Sequence, residues 1–530
     1  MSALRYPVTF APSGVTLWVE AGATLLSAAR EAGIVVPAPC GGRGVCGKCA
    51  VRVSEGNPSE PDETERRALK LAPRATRLAC RLAVTGPLTV RPIVTAAAPV
   101  SAEGEAPEEA QLLAALDLGT TTVSAVVIGA ESGRELGRSV VPNSQATWGA
   151  DVISRIAAAR DGEGVVLRRC AEQSIIDALT AACDRASGCL SSVRRLVVVG
   201  NSAMASLLLG MDVRGLAGHP FSAPFQSAVS LSEDSSVART LAADAETIVL
   251  PPIAGFVGGD LTAGLVAGGL IDVAETTMYV DAGTNAEMAL VSPNGIWLAS
   301  AAAGPAFEGF GVSSGGPATT GAVTCVRITG DGVELDVVGG GEPLWFAGSG
   351  LLSAMAELRR VGQLDESGRL VREGPLRERF AEREGVLQVD FGGSGPTPLS
   401  LTQTDVRALQ TAKAAVAAGM VSLVKASGVK PRTLSRWILA GAFGGAMDVG
   451  QLFALGIMPK DALSGDVRQL ADAALLGAAA IAVEPRILED VTRQMRRAEH
   501  VSLADDPVFS REFVSSTALS TFTLKRGFSL

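Results

Sequence analysis

The chain is predicted to be an α/β protein that carries a separate α+β domain at its N-terminus. Three observations predict it. Cys40, Cys46, Cys49 and Cys80 cluster near the start with the spacing of a metal-cluster cradle. After residue 111, apolar strand-like runs alternate with long helical stretches. Two strand–Asp-x-Gly-Thr turns recur, at Asp117 and at Asp281. The chain has 530 residues, 47% of them hydrophobic and 19% charged, which is apolar material for several cores and argues against extensive disorder.

The N-terminal domain, residues 1–92, is justified element by element. Residues 7–10 and 15–19 read as a hairpin around Pro12, Ser13 and Gly14. Residues 24–32 read as a helix, with Thr24 as its cap and Gly33 as its stop. The cysteine loop follows, then a strand at 50–53, a helix at 62–69 and a last strand at 88–92. That order matches the β-grasp ferredoxin pattern. Cys40, Cys46 and Cys49 are spaced C-x5-C-x2-C, one residue longer in the first gap than the plant-type 2Fe–2S spacing, and Cys80 supplies the fourth thiolate. Gly41, Gly42, Gly44 and Gly47 let the loop curl and turn amides toward the sulfurs. A zinc site normally has two short cysteine pairs, and the second pair is missing here. Cys170, Cys183, Cys189 and Cys325 lack ligand spacing and are expected to be buried free thiols; His219 and His500 are assigned no role.

Residues 93–110 are small, acidic and proline-containing, the composition of a flexible linker. Beyond it, residues 111–530 are expected to form one large domain. Strands are expected at 112–128, 196–199, 247–250, 278–280 and 437–439, and long helices at 165–186, 401–425 and 470–482. The two Asp-x-Gly-Thr turns suggest a duplicated nucleotide-binding fold. Each places a carboxylate at a strand end, followed by a glycine that brings backbone amides near an anion. Gly119, Thr120, Thr121, Gly283 and Thr284 are thus candidates for phosphate, and Asp117 and Asp281 for Mg²⁺ held through water. A third turn, Gly441, Gly444 and Gly445 after an apolar strand, offers flat backbone to an adenosine. No G-x4-G-K-[ST] sequence supports a Walker-type site.

These three motifs resemble the actin, sugar-kinase and heat-shock chaperone ATPase superfamily (ASKHA). The resemblance implies two ribonuclease-H-like lobes with ATP between them. Asp117, Gly119, Thr120 and Thr121 match its first phosphate motif, Asp281, Gly283 and Thr284 its second, and Gly441, Gly444 and Gly445 its adenosine motif. A ferredoxin domain ahead of an ASKHA ATPase is similar to the reductive activators of corrinoid proteins, the RACo/RamA type. Stretches 143–155, 199–202, 251–260, 304–309, 348–350 and 401–407 fit the same family. Longer members carry a small middle domain between the two parts, where this chain has only the linker.

The family resemblance implies an ATP-dependent activator that passes one electron from its 2Fe–2S cluster to the inactive Co(II) corrinoid of a cobalamin-dependent methyltransferase, restoring Co(I). It implies a corrinoid protein as partner and an upstream low-potential electron donor. The alternatives are a redox-regulated small-molecule kinase of the ASKHA type and an ATP-dependent electron donor to another enzyme. A net charge of −9 and a pI of about 5.1 argue against nucleic acid as partner. The longest apolar run, 475–483, is far below the ~20 residues of a bilayer span, and the first residues lack a signal-peptide core, so a cytoplasmic protein is expected.

Overall fold

The structure is a computed structural model that describes residues 4–11, 15–32, 34, 36, 44, 49–56, 58–69, 76–92, 110–149, 151–219, 221–271, 273–330, 332–393, 398–445 and 447–525. The expected linker therefore lies, but for residue 110, outside the described residues, as do Cys40, Cys46 and Gly33. The chain divides into two units, residues 1–259 and 260–530.

The first unit opens with β1 (Arg5–Phe10), β2 (Val15–Glu20), α1 (Leu25–Glu31), β3 (Ala50–Gly56), α2 (Glu63–Ala68), β4 (Thr76–Leu78) and β5 (Leu88–Pro92). The strands form one sheet in the order β2-β1-β5-β3-β4. β1 and β2 pair antiparallel from Arg5↔Glu20 to Phe10↔Val15, while β1 and β5 run parallel. Alternation along β1 sends Val8 and Phe10 inward, against Leu25, Val51, Leu78 and Val90, all 3% exposed or less. Thr24 caps α1 by accepting the Ser27 amide at 3.2 Å, and Asp62 caps α2 by accepting the Glu65 amide at 2.8 Å. The three-residue β4 was not expected from sequence.

A second sheet of this unit contains β6 (Leu112–Leu118), β7 (Thr122–Gly129), β8 (Glu135–Pro142), β9 (Val193–Gly200) and β10 (Glu246–Val249), in the order β10-β9-β6-β7-β8. Its helices are α3 (Val152–Ala158), α4 (Gly164–Arg185), α5 (Ser202–Leu208) and α6 (Ser236–Thr240). The run 112–128, a strand candidate that carries the first Asp-x-Gly-Thr turn, folds back on itself at Gly119–Thr121 into the β6/β7 hairpin.

The helix α7 (Gly259–Ala267) leads into the second unit, whose main sheet contains β11 (Thr276–Ala282), β12 (Ala286–Ser292) and β13 (Gly295–Ala301). Two small three-stranded sheets follow, built from β14 (Ala322–Thr329), β15 (Gly332–Val337) and β16 (Trp345–Phe346), and, after α8 (Gly348–Arg360), from β17 (Phe380–Arg383), β18 (Val386–Asp390) and β19 (Ser400–Thr402). The nearly buried α9 (Gln403–Ser427) then returns the chain to the main sheet at β20 (Leu434–Gly441). After α10 (Val449–Ala454) come β21 (Asp466–Gln469), α11 (Ala473–Val483), α12 (Arg486–Met495), β22 (Glu499–His500) and α13 (Pro507–Ser515). The main sheet order is β21-β20-β11-β12-β13-β22.

The two main sheets share one topology. In each, a three-stranded antiparallel meander (β6-β7-β8 or β11-β12-β13) is extended beyond its first strand by two parallel strands (β9-β10 or β20-β21). Asp117 pairs across to Ser124 and Val199, and Asp281 to Glu287 and Ala440, each one residue before the end of its strand. The duplication suspected from two short turns is thus a duplication of whole sheets.

Candidate functional site

The cradle is built on the ferredoxin-like sheet. Cys49, 1% exposed, precedes β3, and Cys80, 7% exposed, follows β4. Antiparallel pairing of β3 and β4, continued by the Ala79 amide donating to the Cys49 carbonyl at 2.8 Å, brings the two sulfurs to 3.2 Å. Two thiolates bound tetrahedrally to one metal ion at about 2.3 Å would lie about 3.7 Å apart, so this pair fits a single iron after a small adjustment. The residues flanking Cys80 anchor it. Arg77 forms a buried two-pronged pair with Glu65 of α2, both contacts 2.8 Å, and Glu65 also accepts the Leu78 amide at 2.6 Å. Arg81 pairs with Asp62, whose carboxyl is held below its usual range by the Glu65 amide and then by that guanidinium. Gly44, at φ +81°, lies where a Cβ would come within 2.9 Å of the Arg81 chain. Cys40 and Cys46 fall outside the described residues. Of the other cysteines only Cys183 is buried; Cys170 and Cys325 are partly exposed and Cys189 is exposed, a correction to the expectation for all four. Cys189 tops a short turn beside the hydroxyls of Ser191 and Ser192, where no core forms.

The first Asp-x-Gly-Thr turn lies in the first unit. Asp117 is the penultimate residue of β6, and Gly119, Thr120 and Thr121 make the turn into β7. A Cβ on Gly119 would meet the Thr122 carbonyl at 2.7 Å, which accounts for glycine there. Asn143 donates to the Gly119 carbonyl at 2.8 Å, and Asn201, the cap of α5, donates to the Thr120 hydroxyl at 3.1 Å.

The second turn and the glycine-rich turn meet within the second unit. Gly441 adopts φ +59°, and a Cβ there would sit 2.3 Å from Asp281 Oδ1 and 2.5 Å from the Ala282 carbonyl. The Ala442 amide donates to that carbonyl at 2.7 Å. Gly444 passes so close to β21's flank that a Cβ would meet the Leu470 carbonyl at 2.3 Å, whereas Gly445 has 3.9 Å of room. Gln469 braces the turn by donating to the Phe443 and Met447 carbonyls, both at 2.8 Å. Gly283 donates to the Asn285 carbonyl at 2.9 Å, and Thr284 donates to Glu308 at 2.5 Å.

Four carboxyls gather at this place: Asp260 on α7, Asp281, Glu287 on β12 and Glu308, all partly exposed. Burial pushes Asp260 up to about 7 and Asp281 up to about 6. Glu287 and Glu308 are raised as well, by burial first and by their anionic neighbours next. The Tyr279 hydroxyl donates to Asp281 at 3.0 Å, which partly offsets the rise. Among the described residues no three such side chains converge as direct ligands of one ion. The all-oxygen donors thus suit a cation that keeps most of its water, as Mg²⁺ does. Sequence reasoning singled out Asp281 but missed Asp260, Glu287 and Glu308. Asp260 and Glu308 do lie in the stretches 251–260 and 304–309 that carry the family resemblance.

Comparison with known proteins places these sites in context. Residues 8–85 match the family model of the 2Fe–2S iron–sulfur cluster binding domain. Residues 112–272 match the model described as the RACo middle region, and 275–527 the C-terminal domain of RACo, the ASKHA domain. The middle-region match thus falls on the β6–β10 sheet rather than between the ferredoxin-like sheet and residue 111, where its absence was expected. The chain is 31% identical over 416 residues to the corrinoid activation enzyme RamQ of Eubacterium limosum, covering 76% of this chain and 69% of that protein. It is 28% identical over 434 residues to the Co(II) methylated amine-specific corrinoid protein reductase of Methanosarcina barkeri, covering 76% and 75%. The structure of a reductive activator for corrinoid, iron–sulfur protein shares its fold, with a TM-score of 0.71, 24% identity and coverage of 97% and 98%. Among the described residues no helix is long and apolar enough to cross a membrane.

Proposed function

The chain belongs to the family of reductive activators of corrinoid proteins, and on that premise we propose that it couples Mg·ATP hydrolysis to one-electron reduction of a Co(II) corrinoid. The substrate is the inactive corrinoid of a cobalamin-dependent methyltransferase protein, and the product is its methylatable Co(I) state. One observation carries the reading: a single chain holds both the Cys49/Cys80 sulfur pair and two Asp-x-Gly-Thr turns at equivalent positions of duplicated sheets.

Cys40, Cys46, Cys49 and Cys80 would hold the 2Fe–2S cluster, which when bound supplies single electrons near roughly −400 mV. An upstream low-potential donor in the cytoplasm would refill it. Gly119, Thr120, Thr121, Gly283 and Thr284 bind phosphate oxygens, and Gly441, Gly444 and Gly445 lie against the adenosine. Asp117 and Asp281 orient the water shell of Mg²⁺. Asp260, close enough to Asp281 for that carboxylate to raise its proton affinity, shares that task. ATP acts by binding one conformation of the protein more tightly than another, so that hydrolysis releases the partner.

The test is anaerobic absorption spectroscopy of a Co(II) corrinoid protein from the same genome, mixed with this protein, a low-potential reductant and Mg·ATP. The Co(I) spectrum should appear and be trapped as methyl-Co(III) by a methyl donor. Failure with every corrinoid protein of that genome would overturn the assignment and favour the redox-regulated kinase.

A further inference from the structure

Among the described residues two arginines of the first unit are buried, and they are buried differently. Arg77 has its carboxylate, Glu65. Arg155 of α3 is 0% exposed and among the largest fully enclosed side chains of the protein, yet every acceptor it uses is neutral. It donates to the Gly149 carbonyl through two nitrogens at 3.2 Å each, to Gln145 Oε1 at 3.3 Å, to the Met204 sulfur at 3.0 Å and to the Thr120 carbonyl. Among the described residues no carboxylate forms an ion pair with it. Burial draws its proton affinity down to about 9, which leaves it cationic at neutral pH. Asp151 offsets part of that loss through space, but among the described residues no carboxylate touches the guanidinium, and a desolvated cation without a contacting counter-charge is costly.

The place it holds is the first phosphate turn. Three successive carbonyls of that turn are taken up from one side: Gly119 by the Asn143 side chain at 2.8 Å, Thr120 by Arg155, and Thr121 by the Asn143 amide at 2.9 Å. A trans peptide points its carbonyl and the following N–H in opposite directions. The amides of Thr120 and Thr121 are therefore turned to the other side, and among the described residues neither has an acceptor. The Asn201 amide, oriented by capping the Met204 N–H at 3.0 Å, donates to the Thr120 hydroxyl, so that the hydroxyl hydrogen also points elsewhere. Asn143 and Gln145 are themselves 0% exposed, and Gln145 is fixed by donating to the Leu167 carbonyl at 2.8 Å.

We propose that Arg155 is the positioning residue of the first phosphate turn. It grips the Thr120 carbonyl so that the Thr120 and Thr121 amides face a nucleotide phosphate, whose negative charge its buried cation favours from across the turn. The inference rests on the nucleotide reading above. Sequences 143–155 and 199–202, which otherwise look like two unrelated stretches, become two supports of one turn, the first behind its carbonyls and the second at the Thr120 hydroxyl.

Gln145→Glu tests it without removing Arg155. The new carboxylate stands beside the guanidinium and neutralises it in place. Calorimetric titration of the full-length protein with Mg·ATP and with adenosine reads the result, after thermal melting confirms the variant is folded. Mg·ATP should bind about tenfold more weakly while adenosine binds as before, so the ATP-to-adenosine preference falls. Arg155→Lys keeps the charge but cannot span the Thr120 and Gly149 carbonyls, and should retain part of that preference. An unchanged preference in both folded variants overturns the role of Arg155. A wild-type protein that binds no ATP overturns the nucleotide reading itself, and this inference with it.

Discussion

Asp281 and Asp260 show how single side chains report on the site they occupy. Their ordinary value is 3.8, and burial lifts them to about 6 and about 7. The fold therefore favours their neutral forms. Their contribution to stability is complete below about pH 4, where the unfolded chain is protonated too, and is lost as pH rises through 6 to 7. Without divalent cations, the second unit should melt at a lower temperature at pH 8 than at pH 5. Millimolar Mg²⁺ should restore more at pH 8 than at pH 5, because it neutralises the ionised carboxylates. Asp281→Asn should flatten the fall, and scanning calorimetry of the full chain at the two pH values decides it; an equally steep fall in the variant would mean other groups are responsible. Legibility at this scale follows the range of the chemistry. The cysteines stand out in the sequence because three of the four lie within ten positions of one another, the compact spacing that an iron–sulfur cradle needs. Asp260, Glu308 and Arg155 do not, since each meets its neighbours only on folding: Asp260 and Glu308 come near Asp281 in the second unit, and Arg155 meets the Thr120 carbonyl in the first.

At the scale of elements, glycines set how closely pieces of the site approach. A Cβ on Gly477 of α11 would come within 1.8 Å of the Ala263 carbonyl of α7, and one on Gly264 within 2.1 Å of the Tyr279 hydroxyl. These contacts hold α7, and with it Asp260, against β11. Gly441 is the sharper case, with a left-handed backbone and the Asp281 carboxylate in the space a side chain needs. Gly441→Ala should destabilise the second unit by about 1–3 kcal/mol and abolish ATP hydrolysis. Gly445→Ala, with open space beside it, should leave the denaturation midpoint near that of the wild type. Equal midpoints for both variants in guanidinium titration would refute the steric argument. Element boundaries were partly legible. The helix expected at 401–425 begins at Gln403, because Thr402 and Asp405 form a reciprocal capping box and Ser400–Thr402 is held by β18. The small sheets β14–β16 and β17–β19 and the helix α8 left no comparable signal, since their strands are short and their core positions are filled by partners distant in sequence.

For the molecule as a whole, the two chemistries belong to separate cores. Cys49 and Cys80 lie in the small core of the ferredoxin-like sheet, and Asp281 lies between Val280 and Ala282 of the second unit's core. Cys80→Ala should therefore abolish the cluster's visible absorption and electron transfer while Mg·ATP hydrolysis continues, and Cys183→Ala should leave the colour intact. Asp117→Ala should do the reverse of Cys80→Ala, keeping a reducible cluster and losing repeated turnover. Loss of both activities in either variant would show that the parts do not fold independently. The two-part plan was legible because each part carries its own short signature. The duplication behind the second part was legible only in the paired Asp-x-Gly-Thr turns, because the equal topology of the two sheets leaves no further equal sequence.

The clamp between Glu65 and Arg77 has a consequence for how the protein matures. It holds the segment before Cys80 through side chains of the protein itself, and the Ala79–Cys49 hydrogen bond sets the two sulfurs side by side. The fold thus brings two of the four proposed ligands together by its own contacts, an arrangement that favours capture of an iron ion. The same closeness exposes the unloaded protein to air. Oxygen can take two electrons and two protons from the neighbouring thiols, joining them and shutting iron out until a reductant reopens them. Assembly under reducing conditions is then a requirement written into the geometry of the fold, and not only a precaution for a fragile cluster.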